Sequence, residues 1–177
     1  MKNIPEKEFL EKEYQKIKDL FSKNKFSLVI EKSKKVLKKN PNQTVFYNFI
    51  GVSYRQLGKI NLSIKVLNDG LKINPNDENL LINLGAALRS IFEFENSKKI
   101  FLHALSINPN NINTLINYGN LKRDTNDFNE AIELYEKAFD KKNDEIVIMI
   151  NLAGIYQIVG DFKKPLWKLS SFHFCSW

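Results

Sequence analysis

The 177-residue chain is long enough for one ordinary domain or a short array of repeats. With 43% hydrophobic and 27% charged residues, and only 7 Gly and 5 Pro, it is neither a disordered chain nor one strung together by long linkers. The net charge of +7 comes from lysines spread over the whole sequence, with one cluster at Lys32, Lys34, Lys35, Lys38 and Lys39. There is no basic stripe interleaved with aromatics and no nucleic-acid motif, so the charge reads as a lysine-rich outer surface and no nucleic-acid partner is expected.

The chain opens on Met1-Lys2-Asn3-Ile4-Pro5-Glu6-Lys7-Glu8, too charged for a secretory signal. A helix is predicted over 7–21 and a second over 26–41, forming a degenerate helical hairpin over 7–41. Three full repeats follow, at 44–77, 78–111 and 112–145. In the second of these, residues 78–91 carry Leu80, Leu81, Leu84, Ala87, Leu88 and Ile91, an i, i+3, i+4, i+7 stripe. After a break near Phe92 and Glu93, residues 94–107 repeat the pattern with Phe94, Ile100, Phe101, Ala104, Leu105 and Ile107. The third repeat does the same over 112–125 and 128–141. Residues 146–164 begin another repeat, and 165–177 form a divergent tail that holds both tryptophans.

The prolines set the period. Pro41, Pro75 and Pro109 stand 34 residues apart, each after an Asn and before another. Proline lacks an N–H and restrains the residue before it, so each one stops a helix. The same step links Gly51, Gly85 and Gly119, with Ala153 next in line. Small residues recur at Ser63, Ser97 and Ala131, and again at Gly70, Ala104 and Ala138. Glycine inside a helix costs about 1 kcal/mol against alanine. A cost repeated in register calls for a repeated gain, which is close approach of helices whose axes lie about 8–10 Å apart. Leu67, Phe101 and Tyr135 at one register, and Ile60, Phe94, Phe128 and Phe162 at another, are the bulky groups expected to fill the holes.

This small–large pattern, with its helix-ending Pro-Asn and 34-residue period, resembles the tetratricopeptide (TPR) repeat family. In repeat style it is similar to the arrays of bacterial O-linked N-acetylglucosamine transferase-like proteins and TPR-containing sulfotransferases. Tyr47, Leu81 and Leu115 stand where the family often has tryptophan. Lys122 replaces the large apolar residue matched by Tyr54, Leu88 and Tyr156, and Asn143 replaces the next proline. The resemblance implies an all-α fold, an α-α superhelix of about four to five helical hairpins. In that solenoid the first helix of each pair lines a concave groove.

Two registers of the first helices are candidate binding residues. One reads Asn83, Asn117 and Asn151, with Phe49 in the equivalent earlier place and Asn79 and Asn113 one turn before. A side-chain amide both donates and accepts, which suits the backbone of an extended peptide. The arrangement resembles the asparagine ladder of O-linked N-acetylglucosamine transferases. Alternatively, these amides are copies from repeat duplication, solvated or bonded within the stack. The other register is Arg55, Arg89 and Arg123, the only arginines in the chain. Their planar forks pair carboxylates bidentately, which favours an acidic or C-terminal carboxylate ligand. An internal ion pair, for example with Asp124, is the competing reading. The carboxylate clamp of chaperone-binding TPRs needs Lys where Asn79 and Asn113 stand, so chaperone C-termini are not expected ligands.

The leading expectation is therefore a scaffold that binds an extended polypeptide, with no catalytic role, no metal and no cofactor. No glycine-rich phosphate loop or nucleophile elbow is present, and His173 with Cys175 supplies two ligands where a metal needs more. The rival expectation is a substrate-presenting arm of a larger glycosyltransferase or sulfotransferase. A third, binding of an acidic polymer through lysines, predicts steep salt dependence. The single cysteine excludes an internal disulfide, and no apolar run approaches the roughly 18 residues of a membrane span. A cytoplasmic protein without membrane contact is expected. The tail 165–177, in which Pro165 takes the place of Ser63, Ser97 and Ala131, is read as a cap on the last repeat, a sticky contact, or a truncation product.

Overall fold

The computed structural model describes residues 6–142 and 146–160. Those residues are helices joined by short turns, with no strand among them. The chain divides into two compact units, Met1–Ile107 and Asn108–Trp177. The expectations for Phe162, Asn143, Pro165, His173, Cys175 and the tail 165–177 lie outside the described residues.

The first unit holds α1 (Glu6–Ser22), α2 (Phe26–Lys39), α3 (Thr44–Gln56), α4 (Ile60–Ile73), α5 (Glu78–Ser90) and α6 (Phe94–Ile107). Each helix packs on the next along the chain up to α6, giving three antiparallel hairpins. In addition α3 touches both α1 and α5. The first helices of the hairpins thus form an inner layer, and the second helices α2, α4 and α6 cover one side of it.

The expected close approach is present, and the structure shows which atoms need it. A Cβ on Gly51 would lie 2.5 Å from Leu67 Cδ2, and one on Gly85 2.5 Å from Phe101 Cε1. Leu67 and Phe101 are fully buried. Ser63 and Ser97 complete each crossing, their hydroxyls donating to the carbonyl oxygens of Gly51 at 2.7 Å and Gly85 at 2.8 Å. The small residue on the first helix therefore admits a large one from the second, and a buried hydroxyl stays satisfied while holding the two backbones together. Gly70 leaves room in the same way for Leu80 of the next hairpin and for Tyr47 of its own.

The turns repeat as closely as the crossings. In the Asn-Pro-Asn segment, Asn74 Oδ1 accepts from the Asn76 N–H at 3.2 Å. Asp77 then caps α5 by accepting from the Leu80 N–H at 3.1 Å, and its second oxygen accepts from the Thr44 hydroxyl at 2.7 Å. That contact ties the starts of α3 and α5 together.

The second unit holds α7 (Ile112–Asp124), α8 (Phe128–Lys141) and α9 (Ile146–Ile158). A Cβ on Gly119 would lie 2.6 Å from Tyr135 Cε1, the same crossing a third time. Asn111 caps α7 as Asp77 caps α5, accepting from the Thr114 N–H at 3.1 Å. Lys122, at a register otherwise apolar, is buried and not turned out to solvent. Its ammonium reaches Glu130 at 2.6 Å and Asp127 at 3.3 Å and lies 5.5 Å from the Tyr118 ring centre. Burial by itself pushes this ammonium down in pKa. The hydrogen bonds to Glu130 and Asp127 outweigh it, and the net direction is upward.

Candidate functional site

The sequence puts its candidate residues on the first helices, and those of the N-terminal unit lie on α3 and α5. Asn79 is exposed near the start of α5, and Asn83 is half-buried one turn on. Asn83 Nδ2 donates twice, to the Asn79 carbonyl at 2.9 Å and to Asn48 Oδ1 of α3 at 2.8 Å. Both its donors are therefore engaged within the unit. What remains is the acceptor Asn83 Oδ1 and, beside it, the donor Asn48 Nδ2. Phe49, the residue in the matching register of α3, is not part of this arrangement. It packs into the seam with α1, its ring 5.7 Å from Tyr14 and 5.6 Å from Phe21.

Asn48 is not among the residues that the sequence singles out. It lies one position before the asparagine register, so copying the 34-residue step from Asn83 lands on Phe49 and passes it over. The available signal is a polar amide between Tyr47 and Phe49, inside the otherwise apolar stretch 45–52. Adjacent first helices cross at an angle, so neighbours across them need not share a register.

Between α1 and α3 lies a cleft of about 670 Å³, lined by Glu6, Leu10, Glu11, Tyr14, Val45 and Phe46 among others. Two turns beyond Asn48 along α3 stands Arg55. Seven residues of α-helix return to the same side, about 10 Å further along the axis. Arg55 is half-buried, with its Nε shielded from water and without a hydrogen-bond partner. Burial, and next the charge of Arg89 on α5, push its guanidinium below the ordinary arginine range.

The second unit repeats the amide motif. Asn117 Nδ2 donates to the Asn113 carbonyl at 2.8 Å, as Asn83 does to Asn79. Asn113 is exposed on α7, and Asn151 is half-buried on α9. Arg123 is paired with Asp124 at 3.7 Å, the internal ion pair that competes with a ligand role. Among the described residues no group of three or more His, Cys, Asp or Glu side chains is placed to hold a metal ion. Nor is any helix there long and apolar enough to cross a membrane.

Residues 11–119 match the family model described as the Psidin N-terminal TPR repeats region, and residues 112–142 match the tetratricopeptide repeat. No curated protein matches the chain. Among solved structures, a MamA protein is 23% identical with a TM-score of 0.70, the match covering 91% of this chain and 93% of that one. TTC0263, a thermophilic TPR protein in Thermus thermophilus, is 16% identical with a TM-score of 0.78, covering 91% and 88%. YrrB, described as a TPR protein with an unusual peptide-binding site, is 16% identical with a TM-score of 0.63, covering 87% and 79%. At these identities the likeness concerns the fold. The first family model spans more than half of the sequence, and the chain belongs to the tetratricopeptide-repeat family.

Proposed function

We propose that this protein is a protein–protein interaction scaffold whose first-helix face grips the backbone of an extended polypeptide. The observation that carries the reading is the bridged amide pair on α3 and α5. With Asn83 held by Asn48 and by the Asn79 carbonyl, one amide oxygen and one amide nitrogen stand side by side on the open face. A peptide unit needs one acceptor for its N–H and one donor for its C=O. The bridge fixes both amides before the ligand arrives, which lowers the ordering cost of binding. Asn79 extends the face at one end. Arg55 and Arg89 are the charged members on this first unit; Asn113, Asn117 and Asn151 offer the same amide chemistry on the second unit, where Arg123 is the charged member. YrrB, similar in fold, is described as having a peptide-binding site, in keeping with this use of the architecture.

The test begins with peptides selected from a random phage-displayed library on the full chain. Their affinities are then measured by calorimetry on Asn48→Ala, Asn83→Ala and Asn117→Ala variants. Losing one or two backbone-directed hydrogen bonds at about 0.5–1.5 kcal/mol each predicts roughly 2- to 150-fold weaker binding for the first two, with helicity by circular dichroism unchanged. Affinities equal to wild type in all three variants would remove the amides from the site.

A further inference from the structure

The three arginines share a register but not an environment. Arg123 has a carboxylate at 3.7 Å in Asp124. Arg55 has none: among the described residues it makes no ion pair and no hydrogen bond, and its Nε is enclosed without a partner. It also faces a like charge, since Arg89 occupies the matching position on the packed neighbour α5. Taking a guanidinium partly out of water and setting it near a second one costs free energy on both counts. Among the described residues of the unit, the one return on that cost is the favourable end of the α3 dipole, a small term of about 0.3–1 kcal/mol. Arg55 lies on the same side of α3 as Asn48, two turns on, within the span of one extended ligand.

We infer that Arg55 is the anion-recognition point of the groove, taking a carboxylate of the bound polypeptide in its planar fork. This rests on the groove reading above and names the class of its ligand: a polypeptide with an acidic group near the segment gripped by Asn48 and Asn83. A fork-to-carboxylate pair forms two parallel N–H···O bonds, and the added negative charge relieves the repulsion between the two guanidiniums. The carboxylate comes either from an Asp or Glu side chain or from a chain end, which share this chemistry.

The experiment uses library-selected peptides on the full chain and on Arg55→Gln. Each peptide is made in three forms: as selected, with Asp and Glu changed to Asn and Gln, and with the C-terminus amidated. The expected result is at least about a ten-fold loss on wild type for one of the two altered forms, and no difference between forms on Arg55→Gln. Which altered form loses affinity identifies the source of the carboxylate. The melting temperature of Arg55→Gln is expected to equal or exceed that of wild type, because the arginine has no partner among the described residues. Peptides that bind wild type equally in all forms overturn the inference and leave the groove reading standing. So does an acid preference that survives in Arg55→Gln. Failure of any peptide to bind wild type overturns both.

Discussion

A Cβ placed on Gly85 would meet three atoms of the Phe101 ring at 2.5–2.9 Å, and Phe101 is fully buried. Replacing Gly85 by Leu is therefore expected to cost roughly 1–3 kcal/mol through overpacking, read as a lower melting temperature; an unchanged one would mean that the α5–α6 crossing is misplaced. Phe92 carries the opposite kind of strain. Asn24, Gly58, Phe92, Asn126 and Gly160 stand 34 residues apart, and all five have positive φ, between 55° and 74°. Glycine and asparagine tolerate that conformation, whereas a bulky residue pays about 1–2 kcal/mol for it. Phe92 is also 79% exposed, its visible recompense being an edge contact with Phe94 at 5.9 Å. Phe92→Asn is expected to stabilise the protein by about 0.5–1 kcal/mol, the difference between relieved strain and the lost ring contact. A fall in melting temperature would assign Phe92 a packing role that its exposure does not show. These positive-φ positions also mark what single residues reveal in sequence. Gly58 and Asn126 announce the turn by their chemistry, while Phe92 does so only by its register.

At the scale of elements, helices fall where the apolar periodicity and the Asn-Pro-Asn stops place them. Both are local properties of the chain. The exception in kind is α7, where Lys122 interrupts the apolar stripe. Sequence shows a charge in an apolar place; it does not show that α8 brings Glu130 and Asp127 to meet it. That pairing depends on how two helices are turned against each other. Removing one member leaves a buried charge under-satisfied, so Glu130→Ala is expected to cost about 1–3 kcal/mol in chemical denaturation. Lys122→Leu, which restores an apolar stripe, is expected to be neutral or stabilising. If Lys122→Leu proves as damaging as Glu130→Ala, the ion pair contributes more than its removal as a unit implies. The pH dependence follows from the upward direction of the Lys122 shift. A group whose pKa is raised on folding stabilises fully below its unfolded value, near 10.5, and loses that contribution only as pH rises through the folded value. This contribution is therefore flat across neutral pH and falls away only in strong alkali, as an alkaline titration of wild type against Lys122→Leu would register.

For the molecule as a whole, the fold is legible because one 34-residue unit is written several times, and each copy confirms the others. The site is only partly legible. Asn79 and Asn83 are visible as repeats, but Asn48 is not, because the bridge it makes crosses helices and breaks register. The arginines are visible as a set, yet their separation into a paired Arg123 and an unpartnered Arg55 depends on burial and neighbours that no spacing encodes. A polypeptide gripped by the first helices leaves the second helices bare. Asparagine side-chain NH₂ signals in a ¹⁵N-labelled sample report on both surfaces at once, since Asn48 and Asn83 lie on α3 and α5 while Asn68 and Asn96 lie on α4 and α6. Titration with a selected peptide is predicted to shift Asn48 and Asn83 and leave Asn68 and Asn96 in place. Shifts at Asn68 and Asn96 with Asn48 and Asn83 unmoved would contradict it.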